Sequence, residues 1–302
     1  MIEIENMTFD EERALYGSRG IAAKNCRFDG PADGESAFKE SSDIIADNCY
    51  FNLRYPFWHD KNLTIRNAEM TENCRAALWY SENIRISESA MHGIKALREC
   101  RGALIENCDI VSPEFGWSSE NVTMRGCTAE SEYFFLRGKN LDFSRLSFKG
   151  KYSFQYVEDA VLSDSVLETK DAFWHCKNMT VKNCVIKGEY LAWYSEGLTL
   201  ENCTVIGTQP FCYCKNLRLV NCKLLDADLA FEKSEVYADV TTPMISIKNP
   251  KSGSSACPPY RSSSAPTPNR AARSYSPPQK IKKSVHNARF FQPPARHCRA
   301  AP

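Results

Sequence analysis

The chain has 302 residues, 43% of them hydrophobic, with 38 Lys or Arg against 37 Asp or Glu. That balance is a cancellation of two unlike parts: residues 254–302 hold nine Pro, nine Lys or Arg and no acid, which leaves 29 bases against 37 acids in residues 1–253. An acidic body lacks the basic face that nucleic acid needs, no apolar run is long enough to span a bilayer, and no N-terminal apolar run ends in a cleavage site. A cytoplasmic protein with neither nucleic-acid nor membrane partners is expected.

Residues 1–19 precede the repeat and are read as an N-terminal cap. From residue 20 the organising signal is an Asn-Cys signature that returns every 19 residues from Cys108 to Cys222, with nearly identical copies NMTVKNC (178–184), GLTLENC (197–203) and NLRLVNC (216–222). Extended both ways, the Cys column reads Cys26, Cys49, Ala68, Ser89, Cys108, Cys127, Leu146, Ser165, Cys184, Cys203 and Cys222. Such a unit is too short for a helical repeat and contains only brief apolar alternations between turns. The fold class is therefore all-β, a parallel β-helix solenoid of about 11–12 rungs over residues 20–253.

Within a rung the pattern Φ-x-Φ, as in Leu63 and Ile65 or Met179 and Val181, sends two side chains inward from one strand. An Asn then turns the corner, a place that suits its tolerance of the left-handed conformation. Asn25, Asn48, Asn67, Asn107, Asn183, Asn202 and Asn221 are expected to stack as a ladder. The residue preceding each rung's first corner alternates in sign over nine rungs, from Lys61, Glu82 and Arg101 through Glu120, Lys139, Glu158 and Lys177 to Glu196 and Lys215. Exposed pairs contribute only ~0.2–1 kcal/mol each, so this column is read as a register device.

On these features the chain resembles the pectate-lyase-like right-handed parallel β-helix proteins, and residues 1–253 resemble a bacterial family of such helices to which no function is assigned. Stretches such as TFDEERALYG, NLRYPFWHD, HGIKALREC, GEYLAWYSE and GTQPFCYCKN carry the second likeness. It implies a single-stranded right-handed β-helix. The Asp-rich calcium site of the lyases and the paired Asp with Gly-His-Gly of the polygalacturonases have no counterpart here, so neither activity carries over.

All five tryptophans, Trp58, Trp79, Trp117, Trp174 and Trp193, stand four residues before a corner, with Arg98, Leu136, Gln155, Cys212 and Phe231 completing the file. A second file, from Phe57, Leu78 and Leu97 to Phe173, Ala192 and Phe211, lies one residue earlier. Neighbouring strand positions face opposite ways, so only one file belongs inside. Burying the Trp file would also bury Arg98 and Gln155, which places the Phe/Leu file in the core and the tryptophans outside. Beside His59, Tyr80, Tyr156, His175, Tyr194 and Tyr213, such a row is read as a sugar-stacking, substrate-binding platform. The same rings could equally pack on one another as a stabilising stack.

Charge interrupts the aromatic pattern at Lys95, Arg98, Glu99, Glu114, Trp117 and Arg137, on three successive rungs. As a ligand site, with Lys95 among its substrate-binding residues, Arg98 and Arg137 would hold a carboxylate or phosphate, and Glu99 with Glu114 would form an acid and base pair. The competing reading is a self-satisfied ion network. Carbohydrate binding or processing, with a glycan or other polar small molecule as ligand, is therefore set against a non-catalytic scaffold.

No metal or cofactor is expected. Cys212 and Cys214 have no matching second pair, and His59 and His175 are six rungs apart. The stacked cysteines point the same way, poor geometry for disulfides, and are read as small core residues of a reducing compartment. Residues 254–302 have no periodic apolar positions and are expected to be a disordered basic tail. Its abrupt onset is read as an out-of-frame or truncated product, leaving an open final rung through which copies would associate by their ends.

Overall fold

The computed structural model describes residues 1–30 and 35–258, and the basic tail beyond residue 258 lies outside the described residues. Three walls repeat along the chain. The first is built from six-residue strands such as Lys61–Arg66, Glu82–Ser87 and Arg101–Glu106. Each pairs in parallel with its equivalent on the next rung, so that Leu63, Ile84, Ala103 and Val122 fall in one column. The second wall consists of shorter strands, among them Glu69–Met70, Asp109–Val111 and Val185–Lys187.

The corner between these walls is the expected asparagine ladder. Asn25, Asn48, Asn67, Asn107, Asn183, Asn202 and Asn221 all have φ between 50° and 54°. Their amides bond from rung to rung: Asn48 donates to Asn25 at 2.8 Å, Asn202 to Asn183 at 3.3 Å and Asn221 to Asn202 at 2.8 Å. Where the column lacks Asn, Glu88, Gly126, Arg145 and Asp164 adopt the same left-handed conformation. A second ladder, which the repeat pattern did not single out, opens the first wall: Asn83 donates to Asn62 at 3.1 Å and Asn140 to Asn121 at 3.0 Å. Side chains able to bond their own neighbours lower the cost of left-handed backbone at each corner.

The solenoid runs to about 13 turns, longer at both ends than the repeat alone suggested. Residues 1–19, read as a cap, include the first rung: Ile2–Glu5 pairs with Ile21–Lys24, and Phe9 stacks on Phe28 at 4.9 Å. At the other end Ser252–Ala256 pairs with Glu235–Asp239, carrying the ladder past the boundary drawn at residue 253. Both segments lack the Asn-Cys signature, yet a β-ladder needs only backbone partners in register. No helix occurs among the described residues.

The core is assembled from columns. The Cys column is buried throughout, with Ala68, Ser89, Leu146 and Ser165 taking their turns in it. The twelve largest fully buried side chains are all phenylalanines, each contributing roughly 1.5–3 kcal/mol by leaving water. They stack along the rungs, as in Phe28 on Phe51 at 4.9 Å and Phe38 on Phe57 at 5.3 Å.

The third wall departs from the expected alternation. Phe57–Trp58, Leu78–Trp79 and Leu97–Arg98 form a small parallel sheet. Later rungs replace it with stacked turns in which every second residue is left-handed: Tyr152, Phe154 and Tyr156 have φ of 57–58°, and Tyr190, Ala192 and Tyr194 repeat the pattern. Their backbones bond alternately to the rung ahead and the rung behind, as Tyr156 N–H does to Trp174 and Phe154 N–H to Phe134. In this conformation adjacent side chains need not face opposite ways. Phe154 and Gln155 are both buried, as are Phe211 and Cys212.

Candidate functional site: the third wall and its groove

The Phe/Leu file lies inside, with Phe57, Leu78, Leu97, Phe135, Phe154, Phe173 and Phe211 all buried. The five tryptophans are half-buried, and each has at least one face taken up by a ring or a cation. Trp58 and Trp79 stack at 5.4 Å and 10°, Trp174 and Trp193 at 5.4 Å and 4°. Rung spacing is close to the stacking distance of aromatic rings, so a file of rings in register closes on itself. Gln155, in the same file, is buried with its amide donating to the Asp171 carbonyl at 2.8 Å. Its burial is thus paired, which removes the objection to an inward polar residue.

Cations complete the upper part of the file. The Lys39 ammonium lies 4.0 Å from the Trp58 ring centre, and the Arg98 guanidinium lies 5.3 Å from Trp79 and 5.5 Å from Trp117. Lys39, Trp58, Trp79, Arg98 and Trp117 thus form one cation–π column over five rungs. The indole N–H of Trp117, Trp174 and Trp193 each donates to a backbone carbonyl, of Tyr133, Tyr190 and Gln209 respectively. Those of Trp58 and Trp79 are buried without a partner among the described residues.

Five of the six residues of the mid-helix cluster are brought together. Lys95 pairs with Glu114 at 3.2 Å and approaches Trp117 at 5.9 Å; Arg98 Nε donates to Glu99 at 2.9 Å. The Glu99 carboxylate beside Tyr80 holds that phenol above its usual range. Glu99 and Glu114 are therefore each committed to a cation. Arg137 stands apart, exposed on the next rung.

Outside this column runs a groove. One wall is the left-handed file His59, Tyr80, Glu99, Ser118, Arg137, Tyr156, His175, Tyr194 and Tyr213; the other is the alternating charge file from Lys61 to Lys215. It opens into two pockets. The first, about 560 Å³, is lined by Glu40, His59, Tyr80, Glu99, Arg101 and Glu120 among others. The second, about 460 Å³, is lined by Tyr156, His175, Tyr194 and Tyr213 facing Glu158, Lys177, Glu196 and Lys215.

Four rings of the second pocket form one ladder: Tyr156 on His175 at 4.7 Å, His175 on Tyr194 at 5.0 Å and Tyr194 on Tyr213 at 4.7 Å, all within 9° of parallel. Burial lowers the His175 pKa and raises that of Tyr213, which in both residues favours the neutral ring. Tyr156 and Tyr194 are each 46% exposed. Across the groove Lys177 meets Glu158 at 3.1 Å and Lys215 meets Glu196 at 4.0 Å. In the first pocket His59 Nδ1 lies 3.2 Å from Glu40, and its ring meets Tyr80 edge-on.

Comparison with known proteins bears on fold and family. No curated protein matches the chain. A surface adhesin of Streptococcus pneumoniae superposes with a TM-score of 0.39 at 9% identity, over 70% of this chain and 71% of the adhesin. The A-module of the mannuronan C-5 epimerase of Azotobacter vinelandii gives 0.37 at 10% identity, over 78% and 86%. The catalytic domain of a GH87 alpha-1,3-glucanase gives 0.31 at 12%, over 72% and 52%. At such identities the likeness is one of fold alone. The sequence itself matches, over residues 2–271, the family described as "Protein of unknown function (DUF3737)". The chain belongs to that family, and its fold is a right-handed parallel β-helix.

Proposed function

We propose that the protein binds a glycan along the groove beside the third wall, with the ring ladder from Tyr156 to Tyr213 as its apolar side. The observation that carries this reading is the amphipathic cross-section of the second pocket. Four stacked rings line one side and in-register acid–base pairs the other, a combination that suits a ligand with apolar C–H patches and many hydroxyls. The tryptophans support this wall from behind, since their faces are occupied by each other and by Arg98. The reading is one of binding without turnover, because Glu99 and Glu114 are already tied to Arg98 and Lys95.

The test is a glycan array followed by calorimetry on the wild type and on Tyr194→Ala, which leaves the buried core untouched. Binding that weakens at least tenfold in the variant supports the groove. The scaffold reading, favoured by the self-stacked tryptophans, takes over if no glycan binds or if Tyr194→Ala changes nothing.

A further inference from the structure

The charge file is not uniformly paired. Lys61 meets Glu82 at 3.6 Å, Glu158 meets Lys177 and Glu196 meets Lys215. Between these pairs stand Arg101, Glu120 and Lys139, consecutive in the ladder register, and no side-chain hydrogen bond or ion pair holds any of them among the described residues. Arg137, on the same rung as Lys139 and on the opposite wall of the groove, is likewise exposed and, among the described residues, without a side-chain partner. Three cations and one anion thus remain uncommitted among the described residues: Arg101 and Glu120 line the first pocket, and Arg137 and Lys139 stand on the rung between it and the second. Elsewhere along the file, neighbouring rungs neutralise each other.

The next rung adds a second feature. Tyr156 ends the ring ladder: His175 covers one of its faces, and among the described residues no ring or cation lies over the other. That face is on the Arg137 side, about one rung spacing of 4.8 Å from the Arg137 and Lys139 rung, and Tyr156 keeps 46% of its surface exposed. A pyranose stacked there would carry a ring substituent into the space between the guanidinium and the ammonium.

We infer that the groove is selective for an anionic glycan, with one sugar ring on the open face of Tyr156 and its oxyanion held between Arg137 and Lys139. This rests on the groove reading above and adds to it the class of ligand. Arg137 offers a fork matched to a carboxylate or sulfate, and Lys139 a point charge. Arg101, two rungs away, supplies the cation for a second anionic residue of the same chain. Ion pairs formed on so exposed a surface are screened by salt, so binding is expected to weaken as ionic strength rises.

Three hexasaccharides distinguish the anion: hexagalacturonate for a carboxylate, a sulfated hexamer for a sulfate ester, and cellohexaose as the uncharged control. Each is titrated calorimetrically into the full chain and into Arg137→Gln/Lys139→Gln, whose exposed positions leave the core intact. One or both anionic hexamers should bind the wild type at least tenfold more tightly than cellohexaose, lose that advantage in the double variant, and lose it again between 50 and roughly 300 mM salt. Equal binding of charged and uncharged hexamers, or full anionic affinity in the double variant, overturns the anionic assignment and leaves the groove reading standing. Binding of none of the three overturns the anionic assignment as well, and whether the groove itself fails is then decided separately by the array and Tyr194→Ala.

Discussion

The buried carboxylate of Asp60 accepts the backbone N–H of Ser41 at 2.8 Å through one oxygen, while its other oxygen meets no donor among the described residues. At the equivalent place one rung on, the hydroxyl of Ser81 accepts from the backbone N–H of Asp60, and Ser119 and Ser234 serve Cys100 and Cys214 in the same way. Asp60 is thus an acid in a serine column, and burial pushes its pKa up to about 8.

The sign of the consequence follows from proton counting. Between the ordinary aspartate value near 4 and the native value of about 8, the folded chain keeps a proton that the unfolded chain has lost. Stability from this group is full below pH 4 and declines through that window by about 1.4 kcal/mol per pH unit. Asp60→Ser retains the bond to Ser41 and should flatten the decline, leaving the variant more stable than wild type at pH 8. Urea denaturation at pH 5 and pH 8 checks this; parallel pH dependence in the two proteins would refute it.

The cation–π column makes Trp79 a structural residue. Trp79→Ala removes the stack on Trp58 and the face under Arg98, with an expected loss of about 2–4 kcal/mol. Tryptophan emission of the wild type should also resist a soluble quencher. Unchanged stability in the variant would mean that the column contributes nothing.

The asparagine ladder makes two separable contributions at Asn202, which donates to Asn183, accepts from Asn221 and has φ of 54°. Asn202→Ala loses the amide bonds and must hold a left-handed alanine, costing about 2–3 kcal/mol. Asn202→Gly loses only the bonds and should cost about 1 kcal/mol less, as the natural Gly126 in this column implies. Equal losses, measured by thermal melting, would show that the backbone term is negligible.

Burial raises the pKa of three thiols taken from different rungs. Cys100 is pushed up to about 12 and Cys74 and Cys222 to about 11, in each case chiefly by desolvation. At pH 8 an alkylating reagent should label Cys257, the exposed one of the described cysteines, and reach the column only after denaturant is added. Rapid native labelling of Cys100 or Cys222, read by mass spectrometry of the peptides, would contradict a packed cysteine core.

The amino-acid sequence by itself determined the columns. A fixed period of 19 residues assigns Cys108, Cys127 and Cys184 to one file, Asn183, Asn202 and Asn221 to another, and Lys177 against Glu158 to a third, because rung-to-rung register is a matter of counting. It also placed the Phe file inside and gathered Lys95, Arg98, Glu99, Glu114 and Trp117. Only the tertiary structure decided what each column presents to solvent. Trp58 and Trp79 spend their faces on each other because rungs repeat at the stacking distance of rings, an axial relation that no pattern within one rung contains. The left-handed Phe154 and Tyr156 were hidden for a related reason: aromatic residues do not choose that backbone by propensity, and are held there by hydrogen bonds to the rungs on either side. The first rung keeps the pattern with Ile2, Ile4 and a left-handed Asn6 that accepts from Asn25 at 3.2 Å, but has Met7 in place of the cysteine, and the last at Ser252–Ala256 bears no signature, since the ladder extends wherever backbone meets backbone in register.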